Sequence, residues 1–411
     1  MKQLSRGFYI WGTGKIAAVF YECVEDSYLK GFIDNNIDKN GHIFNNKRVY
    51  SFDEIKGDFE LIIVCVKEYG GIFLQLKGAE VDLKKVIFLY DSNDEEKIEK
   101  YSFINADRWA LYRQKEINKE LQLKIDNAVF EKMDEFNAGH WWFPKIESNE
   151  LLVKKINNEK CSFIRFGDGE FEIISGRNRA PFQEVEGDLS ERLKRVLQYD
   201  DNKLLIGISN LYGSLDEYTE VTARAMREYL TPERRKEHLM LLNKNKVYYN
   251  ALIFKTYMPY KDRKKTEERI HLVKSIWERK NVVLIEGDKT RSGWKNDLFS
   301  NTSSIQRVIA PTKNAYTYYD EILSEAKKIS KDKLILIALG PAGKVLGLDL
   351  YLEGYQVIDI GQLDMDYDWY KADIGLRVPN PYKYISQLPE TAVSDVVDEE
   401  YEEQIIARIN V

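Results

Sequence analysis

The strongest constraint on the fold is a recurrence. Short apolar, β-branched runs alternate with longer stretches of helical patterning. Leu61–Val66 reads Leu-Ile-Ile-Val-Cys-Val without a polar break, as a strand buried on both faces should. The segments around Phe8–Trp11, Leu29–Ile33 and Val86–Tyr90 are similar. Further along come Cys161–Phe166, Leu204–Ile208, Val247–Phe254, Val282–Ile285, Leu334–Leu339 and Gln356–Ile360. Between most of these lie helical stretches: Leu189–Leu197, Tyr218–Tyr229, Thr266–Trp277, Tyr316–Ser330 and Val345–Glu353. Strand-helix alternation of this kind predicts βαβ units and parallel sheets. The expected fold class is α/β, with two Rossmann-like domains of mostly parallel sheets joined by a helical connector.

At about 150 residues per domain, 411 residues allow two or three domains. The pattern places a nucleotide-binding-like domain at 1–100, the connector at 101–147, a catalytic domain at 148–390 and an acidic C-terminal tail at 391–411. The connector contains Asp107–Phe136, which has no Gly or Pro and is rich in Lys, Glu, Leu and Gln, a helical composition. Asn137-Ala138-Gly139 should stop it. The aromatic cluster His140-Trp141-Trp142-Phe143-Pro144 then reads as a hydrophobic plug or a sugar-stacking platform. Val397–Glu403 reads as a solvated acidic helix face.

Lys and Arg number 61 against 67 Asp and Glu, a net charge of −6, which argues against a general nucleic-acid binder. No apolar run approaches the roughly 20 residues that span a bilayer. Met1–Arg6 shows no signal-peptide pattern. The three cysteines (Cys23, Cys65 and Cys161) sit far apart in apolar settings and lack zinc-ligand spacing, so free buried thiols and a cytoplasmic location are expected.

Five strand-end segments carry polar chemistry. Gly12-Thr13-Gly14-Lys15-Ile16-Ala17 matches GxGxxA, with Asp34 at the end of the next strand. This is the setting of a dinucleotide loop, or of a tight turn packing helix on sheet. Arg165-Phe166-Gly167-Asp168-Gly169-Glu170 ends a strand with two carboxylates one glycine apart. Asp168 and Glu170 can converge on one Mn²⁺ or Mg²⁺ shared with substrate phosphates, and the glycines suit a tight turn. Glu286–Gly293 supplies Arg291, a fork suited to phosphate, and Asn296 and Asp297 follow as partners for sugar or ribose hydroxyls. Ala338–Lys344 places Gly340 and Pro341 between strand and helix, a backbone anion site or a plain turn. Asp359–Trp369 crowds Asp364, Asp366 and Asp368, with Gln362 before them. The three acids share a face if extended, whereas 364 and 368 share one if helical. Crowded carboxylates raise one another's pKa and can supply a general base.

Taken together, the Arg165–Glu170, Glu286–Phe299, Ala338–Pro341 and Asp359–Gly361 segments resemble the GT-D fold glycosyltransferases, formerly a domain of unknown function, over about residues 148–385. The resemblance implies a Rossmann-like catalytic domain, a DxE motif, a divalent cation (commonly Mn²⁺) and a UDP-sugar donor. It implies glycan or glycoprotein acceptors, including serine-rich bacterial surface adhesins. Asp168 and Glu170 map onto the DxE pair. Gln362 stands where the family usually has His, and Asp368 where it has Glu as candidate base.

The expected function is therefore metal-dependent transfer of a sugar from a UDP-sugar to an acceptor hydroxyl. Asp168 and Glu170 would hold the metal, Arg165, Gly167, Arg291, Asn296, Asp297, Gly340, Pro341 and Gln362 would bind the donor, and Asp368 would handle the acceptor proton with Asp366 and Asp364 beside it. Gly12, Gly14 and Asp34 form a separate nucleotide-binding candidate. Expected partners are the donor and the acceptor, without nucleic acid or a transmembrane segment. A homo-oligomer or a complex with other glycosyltransferases stays open. The rivals are an NAD(P)-dependent oxidoreductase, motivated by Gly12, Gly14 and Asp34, and a non-catalytic sugar-nucleotide-binding scaffold.

Overall fold

The computed structural model describes residues 4, 7–67, 69–91, 95–132, 142–177, 183–184, 187–386 and 393–410. Its contacts separate two compact units, Met1–Gln122 with Leu376–Val378, and Leu123–Gly375 with Pro379–Val411. The helix Ala106–Glu131 runs across that division.

In the first unit the strands are β1 (Phe8–Trp11), β2 (Leu29–Ile33), β3 (Ile43–Phe44), β4 (Lys47–Tyr50), β5 (Leu61–Val64) and β6 (Val86–Phe88). They lie in the order β3-β4-β2-β1-β5-β6, and the β3·β4 pair is antiparallel. Side chains alternate between the two faces of the sheet. Phe8 and Ile10 pack with Ala17 and Phe20 on one face, while Tyr9 and Trp11 pack with Phe52 and Leu76 on the other. The short β3–β4 hairpin lay outside the sequence expectation because Ile43 and Arg48 are exposed and show no apolar run.

A nine-stranded sheet forms the second unit: β7 (Lys145–Glu147), β8 (Ser162–Phe166), β9 (Leu204–Ile208), β10 (Val247–Asn250), β11 (Asn281–Gly287), β12 (Ser304–Ala310), β13 (Leu334–Ala338), β14 (Gln356–Asp359) and β15 (Ile405–Arg408). The order is β15-β12-β11-β13-β14-β8-β9-β10-β7, and every recorded pair is parallel. Both faces are covered. Ile164, Ile206, Ile285 and Ile337 enter one core, and Phe163, Leu205, Leu284 and Leu336 enter the other. The helix after β8, Asp168–Ile174, feeds Phe171 into the first core. The helix after β14, Leu363–Lys371, feeds Leu363 and Tyr367 into the second. Adjacent strands β8 and β14 thus send their chains to opposite faces, the condition that opens a binding crevice at strand carboxyl ends.

Three differences from the sequence expectation have physical causes. β12 was hidden by Gln306 and Arg307. Arg307 is nevertheless buried, because its guanidinium pairs with the fully buried Glu286 on β11. The Val247–Phe254 run is not one strand: it turns into a short 3-10 segment, Ala251–Phe254, whose start is capped by the Asn250 side chain on Leu252 N. The expected acidic tail forms the helix Glu399–Glu403 but then supplies β15, paired to β12. Of the aromatic cluster, Trp142 and Phe143 pack against the core of the second unit, and His140 and Trp141 lie outside the described residues. The three cysteines are free and buried. No helix among the described residues is long and apolar enough to cross a membrane.

Candidate functional site

The site grows from the ends of β8 and β14. Gly167, in extended backbone, caps the Asp168–Ile174 helix, so Asp168 and Glu170 occupy its first turn. The sequence suggested a tight glycine turn here, but neither Gly167 nor Gly169 has positive φ. Glu170 reaches back to accept from Gly167 N at 2.8 Å. Its other oxygen lies 3.3 Å from the Lys344 ammonium, which is also 3.1 Å from Asp359 at the end of β14. Burial opposes charge on Lys344, but Asp359 and Glu170 outweigh it and raise the ammonium's pKa. Burial likewise opposes charge on Asp359, and Lys344 and Arg165 hold its carboxyl below the usual range. Arg165 spreads its fork between strands: Nε donates to Asp359 O at 2.7 Å and Nη1 to Ala251 O at 2.9 Å. Gly361 makes room for that fork. Its φ is +52°, and a Cβ there would lie 2.0 Å from Arg165 Nη2.

Arg165, Gly167, Asp168, Glu170, Ala251, Lys344 and Gly361 wall a cavity of about 270 Å³, together with Ser209, Lys255, Thr290, Leu339, Gly340, Gln362, Tyr384 and Ser386. Arg165, Gly167, Asp168, Glu170, Gly340 and Gln362 thus meet in one place, as a single site would require. Gln362 accepts from the Ser386 hydroxyl at 3.0 Å. Pro341 is buried in the first turn of the Gly340–Leu352 helix.

The remaining candidates take up other positions, none of them on the cavity wall. Arg291 is buried and donates to Tyr382 O and Ser394 O at 2.6 and 2.9 Å, so its fork anchors chain segments instead of facing the cavity. Asn296 donates to Asp364 and Asp368, both at 2.7 Å. Asp297 is half-exposed and engages Tyr367 and Lys371. The 364–368 segment is helical, so Asp364 and Asp368 share a face. There the buried Lys383 bridges them at 2.7 and 2.8 Å. Burial and Asp364 raise the Asp368 pKa, while Lys383 opposes the rise. Asp366 points elsewhere and is fully buried. It accepts from Thr256 Oγ1, Tyr257 N and Met258 N at 3.1, 2.8 and 3.1 Å.

Sequence reasoning missed the support behind Asp168. His238 is buried in the Pro232–Leu241 helix and stacks on Phe171 at 3.9 Å. Tyr212 contacts its Nδ1 at 2.9 Å and Tyr229 its Nε2 at 3.0 Å, and the Tyr229 hydroxyl donates to Asp168 O at 3.3 Å. Because Tyr229 donates onward, Nε2–H must donate to Tyr229, and Nδ1 must accept from Tyr212. A neutral ring satisfies this chain, and burial, reinforced by Arg235, Arg177 and Arg234, lowers the His238 pKa to about 3. Buried Glu172 is held by Arg177 and Arg234 at 3.0 and 3.2 Å. The signal for this clamp was weak, since a lone His and scattered Tyr have no spacing rule.

In the first unit, Gly12 follows β1 with φ +116° and Gly14 caps the Lys15–Tyr21 helix. Asp34 accepts from the Thr13 hydroxyl and pairs with Lys39 at 3.1 Å.

Residues 163–388, more than half of the chain, match the family model described as Glycosyltransferase GT-D fold. A probable glycosyl transferase, Gly, of Streptococcus gordonii is 30% identical over 268 residues, 64% of this chain and 38% of that protein. The glycosyltransferase GlyD of Streptococcus pneumoniae is 28% identical over 267 residues, covering 64% and 32%. The chain therefore matches well under half the length of these curated relatives. A solved domain of unknown function 1792, described as having a distinct glycosyltransferase fold, superposes with TM-score 0.60 at 33% identity, over 65% of this chain and 96% of that one. A structure from Streptococcus sanguinis described as a new glycosyltransferase superposes with TM-score 0.61 at 27% identity, over 65% and 100%. The cavity at the β8–β14 switch lies within the matched residues, and this chain belongs to the glycosyltransferase GT-D fold family.

Proposed function

We propose that the chain transfers a sugar from a UDP-sugar donor to a hydroxyl of a glycan or glycoprotein acceptor, with Mn²⁺ or Mg²⁺ at Asp168 and Glu170. The observation that carries this reading is the cavity at the β8–β14 switch, which brings two carboxylates of one helical turn together with Arg165 and Lys344. The uridine part of the donor rests on the family resemblance.

The donor set suits a shared cation. Among the described residues no cluster of three or more His, Cys, Asp or Glu could enclose a metal, whereas two carboxylates suffice for a hard cation whose remaining ligands are phosphate and water. Glu170 uses one oxygen on Gly167 N and faces Lys344 with the other, and a carboxylate has lone pairs beyond those contacts. The bound cation would offset negative charge on the departing diphosphate. Arg165 and Lys344 add fixed positive charge to that wall at no reorganisation cost. Gly340 opens the Gly340–Leu352 helix at the cavity, where the helix terminus also favours an anion. We assign Asp364, Asp368 and Asn296 to holding Lys383, and through it the Tyr382–Ser386 segment whose Tyr384 and Ser386 line the cavity.

A transfer assay with UDP-sugars, with and without Mn²⁺, tests the proposal. Asp168→Asn should lower turnover at least about a hundredfold, the scale of losing a main transition-state charge contact, while leaving the fold intact by circular dichroism. Unchanged transfer in that variant would overturn the metal assignment. No transfer or hydrolysis of any UDP-sugar would overturn the donor class.

A further inference from the structure

We propose that the second unit carries an additional anion-binding site at the amino-terminal edge of its sheet, taking a compact small molecule that bears a diphosphate group. A cavity of about 570 Å³ opens where β11, β13 and β14 begin, at Asn281, Leu334 and Gln356. The candidate active site lies where the same strands end, on the order of 15–20 Å away at about 3.3 Å per residue. The two sites share no lining residue.

Five basic side chains border this hollow: Lys160, Arg279, Lys280, Lys331 and Lys333. The one acid there is Asp332, whose carboxylate accepts from the Ser330 hydroxyl. The chain as a whole carries net charge −6, so the cluster runs against its average. None of the five is ion-paired among the described residues. The lysines that have partners use neutral oxygens: Lys280 on Asn157 at 3.1 Å, Lys331 on Glu353 O at 2.5 Å and Lys333 on Gln306 at 2.5 Å. Such acceptors satisfy N–H groups without neutralising charge, and the two acids in electrostatic range, Glu353 of Lys331 and Asp332 of Lys333, are outnumbered by the five bases. Burial, then the charge of Lys160, makes the Lys280 ammonium easier to deprotonate. A multiply charged anion in the hollow would remove that strain.

The volume suits a small molecule. Five charges exceed what a single carboxylate needs and match the several oxygens of a diphosphate. A single-stranded nucleic acid would need free aromatic faces for stacking. Of the two tyrosines on the wall, Tyr355 is buried with Lys331 over its ring, and Tyr351 packs edge-on with Tyr199. The proposal stands independently of the glycosyltransferase reading.

The test is calorimetric titration of the full chain with inorganic diphosphate, UDP and uridine at low and high salt. The Arg279→Gln/Lys280→Gln/Lys333→Gln variant should weaken diphosphate binding by about tenfold or more, and the wild-type affinity should fall with salt. Asp168→Asn should leave this binding intact, which separates it from the candidate active site. If the triple variant unfolds, Lys280→Gln alone should weaken binding and Lys280→Arg should restore it. A second UDP site lost in the triple variant identifies a nucleotide as the source of the diphosphate. Diphosphate binding without such a UDP site identifies the free ion, and both outcomes support the proposal. Diphosphate binding unchanged by the basic-residue variants, or no diphosphate binding at all, would overturn it.

Discussion

Lys344, Lys383 and Gly361 carry much of the site, yet none stands out in the chain by composition. Lys383 is nearly inaccessible and sits between Asp364 and Asp368. Removing one partner of such a buried network leaves uncompensated charge, a loss of about 3–5 kcal/mol. Lys383→Met should therefore destabilise the second unit by that amount in urea unfolding, and adding Asp364→Asn and Asp368→Asn should recover part of it. At Gly361, a methyl group would collide with the Arg165 guanidinium in backbone that already disfavours a side chain. Gly361→Ala should cost about 2 kcal/mol or more and lower transfer activity, because Arg165 must leave the cavity wall. At this scale the sequence exposed Asp168, Glu170, Arg165 and Gln362 through their strand-end positions. It set Asp364 and Asp368 apart from Asp366 only if the segment is helical, and it could not say which helical face meets Lys383 and which meets the loop at 256–258.

Among the elements, the Asp168–Ile174 helix depends on the Pro232–Leu241 helix, which stacks His238 on Phe171 and reaches Asp168 O through Tyr229. The His238 pKa is lowered to about 3 in the folded chain, from an ordinary value of 6.5. Its contribution to stability is complete above about pH 6.5 and is lost as pH falls toward 3, because only the unfolded chain takes up the proton there. The slope is about 1.4 kcal/mol per pH unit, or about 2 kcal/mol between pH 7 and pH 5. His238→Gln should flatten that portion of the stability–pH curve. It should also raise the Mn²⁺ concentration needed for half-maximal activity, since the first turn carrying Asp168 and Glu170 loses its support. Equal pH slopes in variant and wild type would contradict the neutral-histidine assignment. Most strands were legible because burial on both faces demands unbroken β-branched runs. β12 escaped because Arg307 enters the core only with Glu286 from the neighbouring strand, a pairing made across the sheet.

For the whole molecule, each unit has its own sheet and its own cores. Scanning calorimetry of the full chain should resolve two transitions, as expected for independent cores. UDP with Mn²⁺ should raise only the transition of the second unit, by about 2.7 kcal/mol when free ligand is roughly 100 times its dissociation constant. A shift confined to the first unit would instead favour the Gly12–Asp34 loop as the nucleotide site. The sequence by itself determined the α/β class, the parallel pairing and the strand-end location of the polar loops. Hydrophobic periodicity and glycine placement are local properties that the chain carries wherever it goes. Only the tertiary structure decided which strand ends adjoin, and so which polar groups face one cavity. Asp359 and Arg165 are far apart in the chain and meet because β14 lies beside β8, and Lys344 finds both Asp359 and Glu170 only at that junction. Coulomb attraction falls with distance in space, not along the chain, so the charge arrangement of the site appears only once the sheet order is set.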